Sequence, residues 1–188
     1  ITDRINYTDL NVVSYFSAAH GVVINMTGIT GDGGTGQGTV TSTSTVAGNS
    51  GSDVLRNINF IEGSNFADTI TGSTALIFEQ IEGLGGNDVL NGGLITDAIN
   101  NDNANRVSYR FAGAAVVVDL AAGTATTTNA TIGGSSGNDT LSNFSQVRGS
   151  NWADTLLGSN ATTYTELFEG MDGDDVIDGR GGFDILRY

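Results

Sequence analysis

The stretch GMDGDDVIDGRGGFDILR, from Gly170 to Arg187, divides into two nonapeptides, Gly170–Asp178 and Gly179–Arg187, with Asp175 and Asp184 nine residues apart. Each opens on glycine, reaches an aspartate at its sixth place and then carries an apolar pair, Val176-Ile177 or Ile185-Leu186. Glycine lets the backbone turn through positive φ, so that carbonyl oxygens converge, and the aspartate adds a charged oxygen of the kind a hard cation prefers. The residues after the aspartate read as a short strand with one apolar side chain turned inward. A turn and a strand recurring every nine residues are the signature of a stacked architecture.

The pattern occurs earlier as well. GLGGNDVLN spans Gly83–Asn91 and GGLITDAIN spans Gly92–Asn100, with Asp88 and Asp97 again nine apart and Ile95 standing in a glycine place. Both pairs belong to longer copies of one unit. VSYFSAAHGVVINM, Val13 to Met26, aligns without gaps with VSYRFAGAAVVVDL, Val107 to Leu120, at a shift of 107 − 13 = 94. SDVLRNINFIEGSNFADTITGS, Ser52 to Ser73, aligns with NDTLSNFSQVRGSNWADTLLGS, Asn138 to Ser159, at 138 − 52 = 86. The fall of 94 − 86 = 8 places eight extra residues between Gly28 and Gly51, a Gly-, Ser- and Thr-rich stretch that reads as a loop tolerant of insertion. We therefore divide the chain into a first unit, residues 1–100 with the inserted loop at 28–51, and a second, residues 101–188. They meet in the polar run NNDNAN, Asn100 to Asn105, and are expected to stack continuously.

Few segments show apolar spacing of helical period. Gly21–Met26, Ala115–Leu120 and Asn57–Ile61 are short, β-branched and bounded by Gly or Asn, which predicts strands. The absence of proline suits strands that must all donate N–H groups to neighbours.

These nonapeptides resemble G-G-x-G-x-D-x-U-x, the repeat of the hemolysin-type RTX (repeats-in-toxin) family. The resemblance covers residues 83–100 and 170–187, with more distant relatives at Gly48–Arg56, Gly63–Thr71, Gly134–Ser142 and Gly149–Leu157. It implies an all-β chain, a right-handed parallel β-roll or β-helix built from two similar units, with Ca2+ held between stacked turns. The ligands it points to are Gly83, Gly85, Asn87, Asp88 and Asp97 in the first unit, and Gly170, Asp172, Asp174, Asp175, Gly181 and Asp184 in the second. Asp88 and Asp97 would share one ion, and Asp175 and Asp184 another. Asp53, Asp68, Asp139 and Asp154, the sixth residues of the distant relatives, are further candidates, with hydrogen bonding to turn amides as their alternative role. The crowding of Asp172, Asp174, Asp175 and Asp178 predicts that the later site is the tighter. The resemblance also implies a piece of a larger bacterial protein exported by type I secretion, with neighbouring repeats as its partners.

Composition agrees with a cation ligand and excludes other partners. The chain has 21 acidic residues against 7 basic ones, all of them arginine, for a formal charge of −14. Phosphate backbones need clustered Lys and Arg, so nucleic acid is excluded. Without cysteine there is no disulfide, thiolate site or cysteine nucleophile. No run approaches the roughly 20 apolar residues of a membrane helix. The opening at Ile1 lacks a signal-like segment, and the chain reads as an internal fragment of a secreted or surface protein.

Other features read as structural. GDGGTG at Gly31–Gly36 matches a dinucleotide-binding pattern but lacks the strand before and the helix after it. His20, the single histidine, aligns with Ala114 and predicts a loop residue rather than a catalytic base. The aspartates of residues 172–178 are fixed by the repeat rather than arranged as a glycosidase pair, so the chain is not expected to be an enzyme. Thr-rich runs at Thr41–Thr45 and Thr124–Thr128 predict solvated loops or edge strands, with glycan or ice binding as the alternative. An accessory module of a polysaccharide-modifying enzyme is a further alternative. Phe66 and Trp152, large and equivalent, predict a buried plug.

Overall fold

The computed structural model describes residues 11–30, 35–45, 51–95, 104–127 and 137–188. Among them the chain is all-β, with short strands and no helix. The first pass holds β1 (Val12–Ser14), β2 (Val22–Asn25), β3 (Ile29–Thr30), β4 (Thr35–Gly36), β5 (Gly38–Ser42) and β6 (Ser52–Leu55). The second holds β7 (Phe60–Glu62) and β8 (Thr69–Thr71), and the third β9 (Glu79–Glu82) and β10 (Val89–Asn91). The fourth holds β11 (Asn105–Ser108), β12 (Val116–Asp119), β13 (Thr124–Thr127) and β14 (Asn138–Ser142). The fifth holds β15 (Gln146–Arg148) and β16 (Thr155–Leu157). The last holds β17 (Glu166–Glu169) and β18 (Val176–Asp178), with β19 (Asp184–Arg187) after it.

The first strand of every pass joins a seven-stranded sheet in the order β1-β7-β9-β11-β15-β17-β19, and every pairing in it is parallel. The other strands, except the β3-β4 pair, form a ten-stranded sheet in the order β18-β16-β12-β13-β14-β10-β8-β2-β5-β6. Both sheets run across the join between the two units, through β9 with β11 and β10 with β14.

Alternation along so short a strand leaves one central inward side chain, and register lines these up. Val13, Ile61, Ile81, Val107, Val147 and Phe168 form one column. Ile24, Ile70, Leu90 and Leu141, then Val118, Leu156 and Ile177, form the other, and the two columns pack into a single aliphatic core.

The predicted loop between Gly28 and Gly51 instead contains β3, β4 and β5. The Thr-rich runs contribute to inner strands: β5 lies antiparallel between β2 and β6, and β13 antiparallel between β12 and β14. Thr39 and Thr41, and likewise Thr124 and Thr126, point outward while Val40 and Ala125 are buried between them. Threonine is β-branched, so alternation with small apolar residues makes a strand of a stretch whose polarity suggests a loop.

Candidate functional site

An aspartate directly precedes four of the parallel strands of the ten-stranded sheet: Asp68 before β8, Asp88 before β10, Asp154 before β16 and Asp175 before β18. Asp139, within β14, stands beside Asp88 because Val89 pairs with Thr140. These carboxylates form two ladders in which each Oδ1 accepts a backbone N–H from the adjacent strand. Val22 donates to Asp68 at 2.6 Å, Asp68 to Asp88 at 2.9 Å and Asp88 to Asp139 at 2.9 Å. In the second ladder Val116 donates to Asp154 at 2.8 Å and Asp154 to Asp175 at 2.9 Å.

Two kinds of turn present these aspartates. In the serine turns, GSNFAD and GSNWAD, the turn's own serine engages both carboxylate oxygens. Ser64 gives its N–H to Asp68 Oδ2 at 2.6 Å and its hydroxyl to Oδ1 at 2.8 Å. Ser150 does the same for Asp154 at 2.5 and 2.7 Å. In the glycine turns, GLGGND and GMDGDD, the fourth residue adopts a φ of 116° at Gly86 and 125° at Gly173, a conformation closed to Phe66 or Trp152 at the same place.

No serine serves Asp88. Its Oδ2 lies against Gly83, where a Cβ would overlap it, and has no hydrogen-bond partner although the residue is only 1% exposed. Burial, then the neighbouring charges of Asp139 and Asp68, push its carboxyl up to about 8. Burial raises Asp139 to about 6 and lifts Asp68 and Asp154 as well. A bare buried oxygen between two other carboxylates is costly until a proton or a cation meets it.

The remaining predicted ligands are scattered along the same turns. Asn87 Oδ1 accepts the N–H of Asn138 at 2.9 Å, holding β14, and the Gly85 N–H reaches Ser64 O at 3.1 Å. Gly170 lies against Asp175 Oδ2 as Gly83 does against Asp88. Asp172 and Asp174 are exposed, and the Gly181 N–H donates to Ser159 O at 3.3 Å. Asp53 is exposed and accepts from the Tyr15 hydroxyl at 2.9 Å. Asp97 lies outside the described residues.

Two expectations need correction. Asp175 and Asp184 do not face one ion: Asp175 precedes β18 of the ten-stranded sheet, whereas Asp184 begins β19 of the seven-stranded one. Nine residues are half a pass, so consecutive nonapeptides turn at opposite edges, and the stacking partner of Asp175 is Asp154, 175 − 154 = 21 residues back. Asp88 likewise stacks on Asp68 and Asp139, and its expected partner Asp97 is not among the described residues. Finally, Phe66 and Trp152 are 47% and 52% exposed. The interior of their turns is taken by the serine hydroxyl, which bonds the aspartate and the N–H of Phe66 or Trp152 at 3.1 Å, so the ring points out.

Sequence reasoning missed a second carboxylate pair on the opposite edge. Glu79 is fully buried, and its Oε2 accepts the N–H and hydroxyl of Ser73 at 2.8 and 2.9 Å. Glu166 is held by Ser159 through both of its oxygens, the N–H donating to Oε2 and the hydroxyl to Oε1, each at 2.8 Å. The signal was a Gly-Ser pair before a glutamate in both copies.

Among the described residues no three His, Cys, Asp or Glu side chains converge to hold a metal. A cation at Asp88 would therefore rely on one or two carboxylates and on turn carbonyls. No helix among those residues is long and apolar enough to cross a membrane. Compared with known proteins, the chain matches no family model and no curated protein.

Proposed function

We propose that this chain is a calcium-binding structural module of a secreted protein, a right-handed parallel β-roll whose stacked turns are completed by Ca2+. The observation that carries this reading is the bare, buried Oδ2 of Asp88 in a glycine turn, stacked between Asp68 and Asp139. Calcium takes six to eight oxygens and accepts backbone carbonyls among them, which suits a turn offering one free carboxylate oxygen and an open backbone. Asp68 and Asp154 are the weaker ligands because serine already serves both of their oxygens.

Function follows from charge. A chain of net charge −14 repels itself on collapse, and an ion bound only by the folded geometry turns binding energy into folding energy. Such a module stays unfolded at low calcium and folds outside the cell. Its role is structural rather than catalytic, since its turn carboxylates are tied to backbone amides. Circular dichroism in chelator, then at roughly 10⁻⁴–10⁻³ M calcium, the range of extracellular modules, tests this. Cooperative gain of β-structure supports the reading, and an unchanged spectrum removes it.

Glycan binding is a second reading, favoured by exposed aromatics at equivalent turns: Phe16 with Phe111 and Phe66 with Trp152. A glycan array separates the two, with Trp152→Ala expected to abolish any signal.

A further inference from the structure

Six buried side-chain N or O atoms among the described residues lack a hydrogen-bond partner, and three of them stand in one row: Glu79 Oε1, Asn105 Oδ1 and Ser145 Oγ. Asn105 pairs with Glu79 where β11 meets β9. The pairing of Arg106 with Gln146 sets Ser145 on the other side of Asn105, and the Ser145 N–H donates to Asn105 O at 3.1 Å. Each of the three lies two places before an inward residue, Ile81, Val107 or Val147, so their side chains share the inner side of three neighbouring strands. Glu79 and Asn105 are fully buried, and Ser145 is 2% exposed.

The bonds around the row fix which oxygens are left over. Ser73 gives both its N–H and its hydroxyl to Glu79 Oε2, so Oε1 is spare. The Asn105 Nδ2 turns to Leu94 O at 3.3 Å and Asn143 O at 3.5 Å, which leaves Oδ1 on the other side of the amide. One strand further on the row closes, because Glu166 follows Ser145 and Ser159 occupies both of its oxygens. A carboxylate oxygen and an amide oxygen can only accept, so Glu79 and Asn105 cannot satisfy one another. Bare oxygens in so dry a place are costly until a donor or a cation meets them. We propose that Glu79, Asn105 and Ser145 hold a second Ca2+ across the join between the two units, apart from the ion at Asp88.

The donors select the ion. A set of oxygens without nitrogen or sulfur suits a hard cation. Calcium accepts neutral carbonyl oxygens in irregular geometry, whereas magnesium keeps several waters and suits an open site. Glycine brings backbone oxygens to the same place. A Cβ at Gly72 would overlap Gly92 O and stand 3.1 Å from Glu79 Oε2, and one at Gly92 would overlap Asn143 O and the Asn105 side chain. These carbonyls can add to the three side-chain ligands.

None of the three residues lies in a nonapeptide, whether at 83–100, at 170–187 or in the more distant relatives, so the repeat does not assign them. They come from β9 and its neighbours β11 and β15, the first in one unit and the others in the next. An ion there clamps the units where their sheets join. With one carboxylate, against the three stacked at Asp88, it is the weaker of the two.

The test is calcium titration of the full chain by calorimetry, together with the rise of melting temperature as calcium passes through about 10⁻⁴–10⁻² M, which spans the range of extracellular modules. A site present only in the folded state adds to that rise. Glu79→Gln should bind one ion fewer and show a shallower rise. Ser145→Ala deletes an oxygen that no group of the chain uses and leaves the charge alone, so it should fold like the parent and bind one ion about tenfold more weakly. Unchanged calcium binding in either variant overturns the proposal, as does a Ser145→Ala chain more stable than the parent at every calcium concentration, the mark of a merely unsatisfied hydroxyl. If Asp88→Asn binds like the parent while Glu79→Gln loses an ion, this site stands and the ion at Asp88 falls.

Discussion

Tyr109 donates its phenolic hydrogen to Asp139 Oδ2 at 3.0 Å, and Tyr15 makes the same bond to Asp53 at 2.9 Å one unit earlier. The hydroxyl tethers the first turn of a unit to the last strand of its antiparallel meander. Tyr109 and Asp139 are buried, while Asp53 is exposed. Tyr109→Phe leaves a buried carboxylate short of a donor, which costs about 1–3 kcal/mol, whereas Tyr15→Phe should cost under ~1 kcal/mol. Urea denaturation of both variants gives the comparison, and equal losses would show that burial does not set the value of this bond.

The glycine turns should be far less tolerant than the serine turns. Gly86 has a φ of 116°, and a Cβ there would collide with the backbone of Phe66 and Ala67. Gly86→Ala should therefore destabilise by more than ~1 kcal/mol, while Phe66→Ala on the exposed side of its turn should stay within about 0.5 kcal/mol. Thermal melts of the two variants decide it, and a large loss for Phe66→Ala would mean the ring is packed after all.

The repeat, the strands and the glycine turns were legible because each rests on local chemistry: glycine where φ is positive, an apolar residue where a strand faces inward. Which edge a turn occupies was not. Nothing in the spacing of Asp175 and Asp184 reveals that nine residues carry the chain from one sheet to the other, because that depends on how strands associate. The inner strands β5 and β13 were hidden for a related reason, since threonine beside glycine reads as a loop until Val40 and Ala125 find a core to face. Trp152 misled through size: a large ring suggests burial, yet Ser150 and Asp154 had already filled its turn.

Stability without metal should fall as pH rises. Burial pushes Glu79 and Glu82 up to about 7 from 4.5. A carboxyl whose pKa is higher in the folded state stabilises that state when protonated. The contribution is whole below the unfolded value and is lost as pH rises through 7. In chelator, under conditions where some fold persists, the melting temperature should drop between pH 5 and pH 8. Glu79→Gln, which keeps the shape without a charge to bury, should lessen that slope. A melting temperature that climbs across this range would show that other groups dominate.

The central claim is that Asp88 holds calcium and that the fold depends on it. The most direct measurement is thermal unfolding of the parent chain, Asp88→Asn and Asp154→Asn in chelator and in about 1 mM calcium, a concentration suited to extracellular modules. Calcium should raise the melting temperature of the parent and of Asp154→Asn, since a ligand bound only by the folded state stabilises it by mass action. Asp88→Asn should lose most of that rise. An identical melting temperature for the parent with and without calcium, or a full calcium response in Asp88→Asn, would contradict the account.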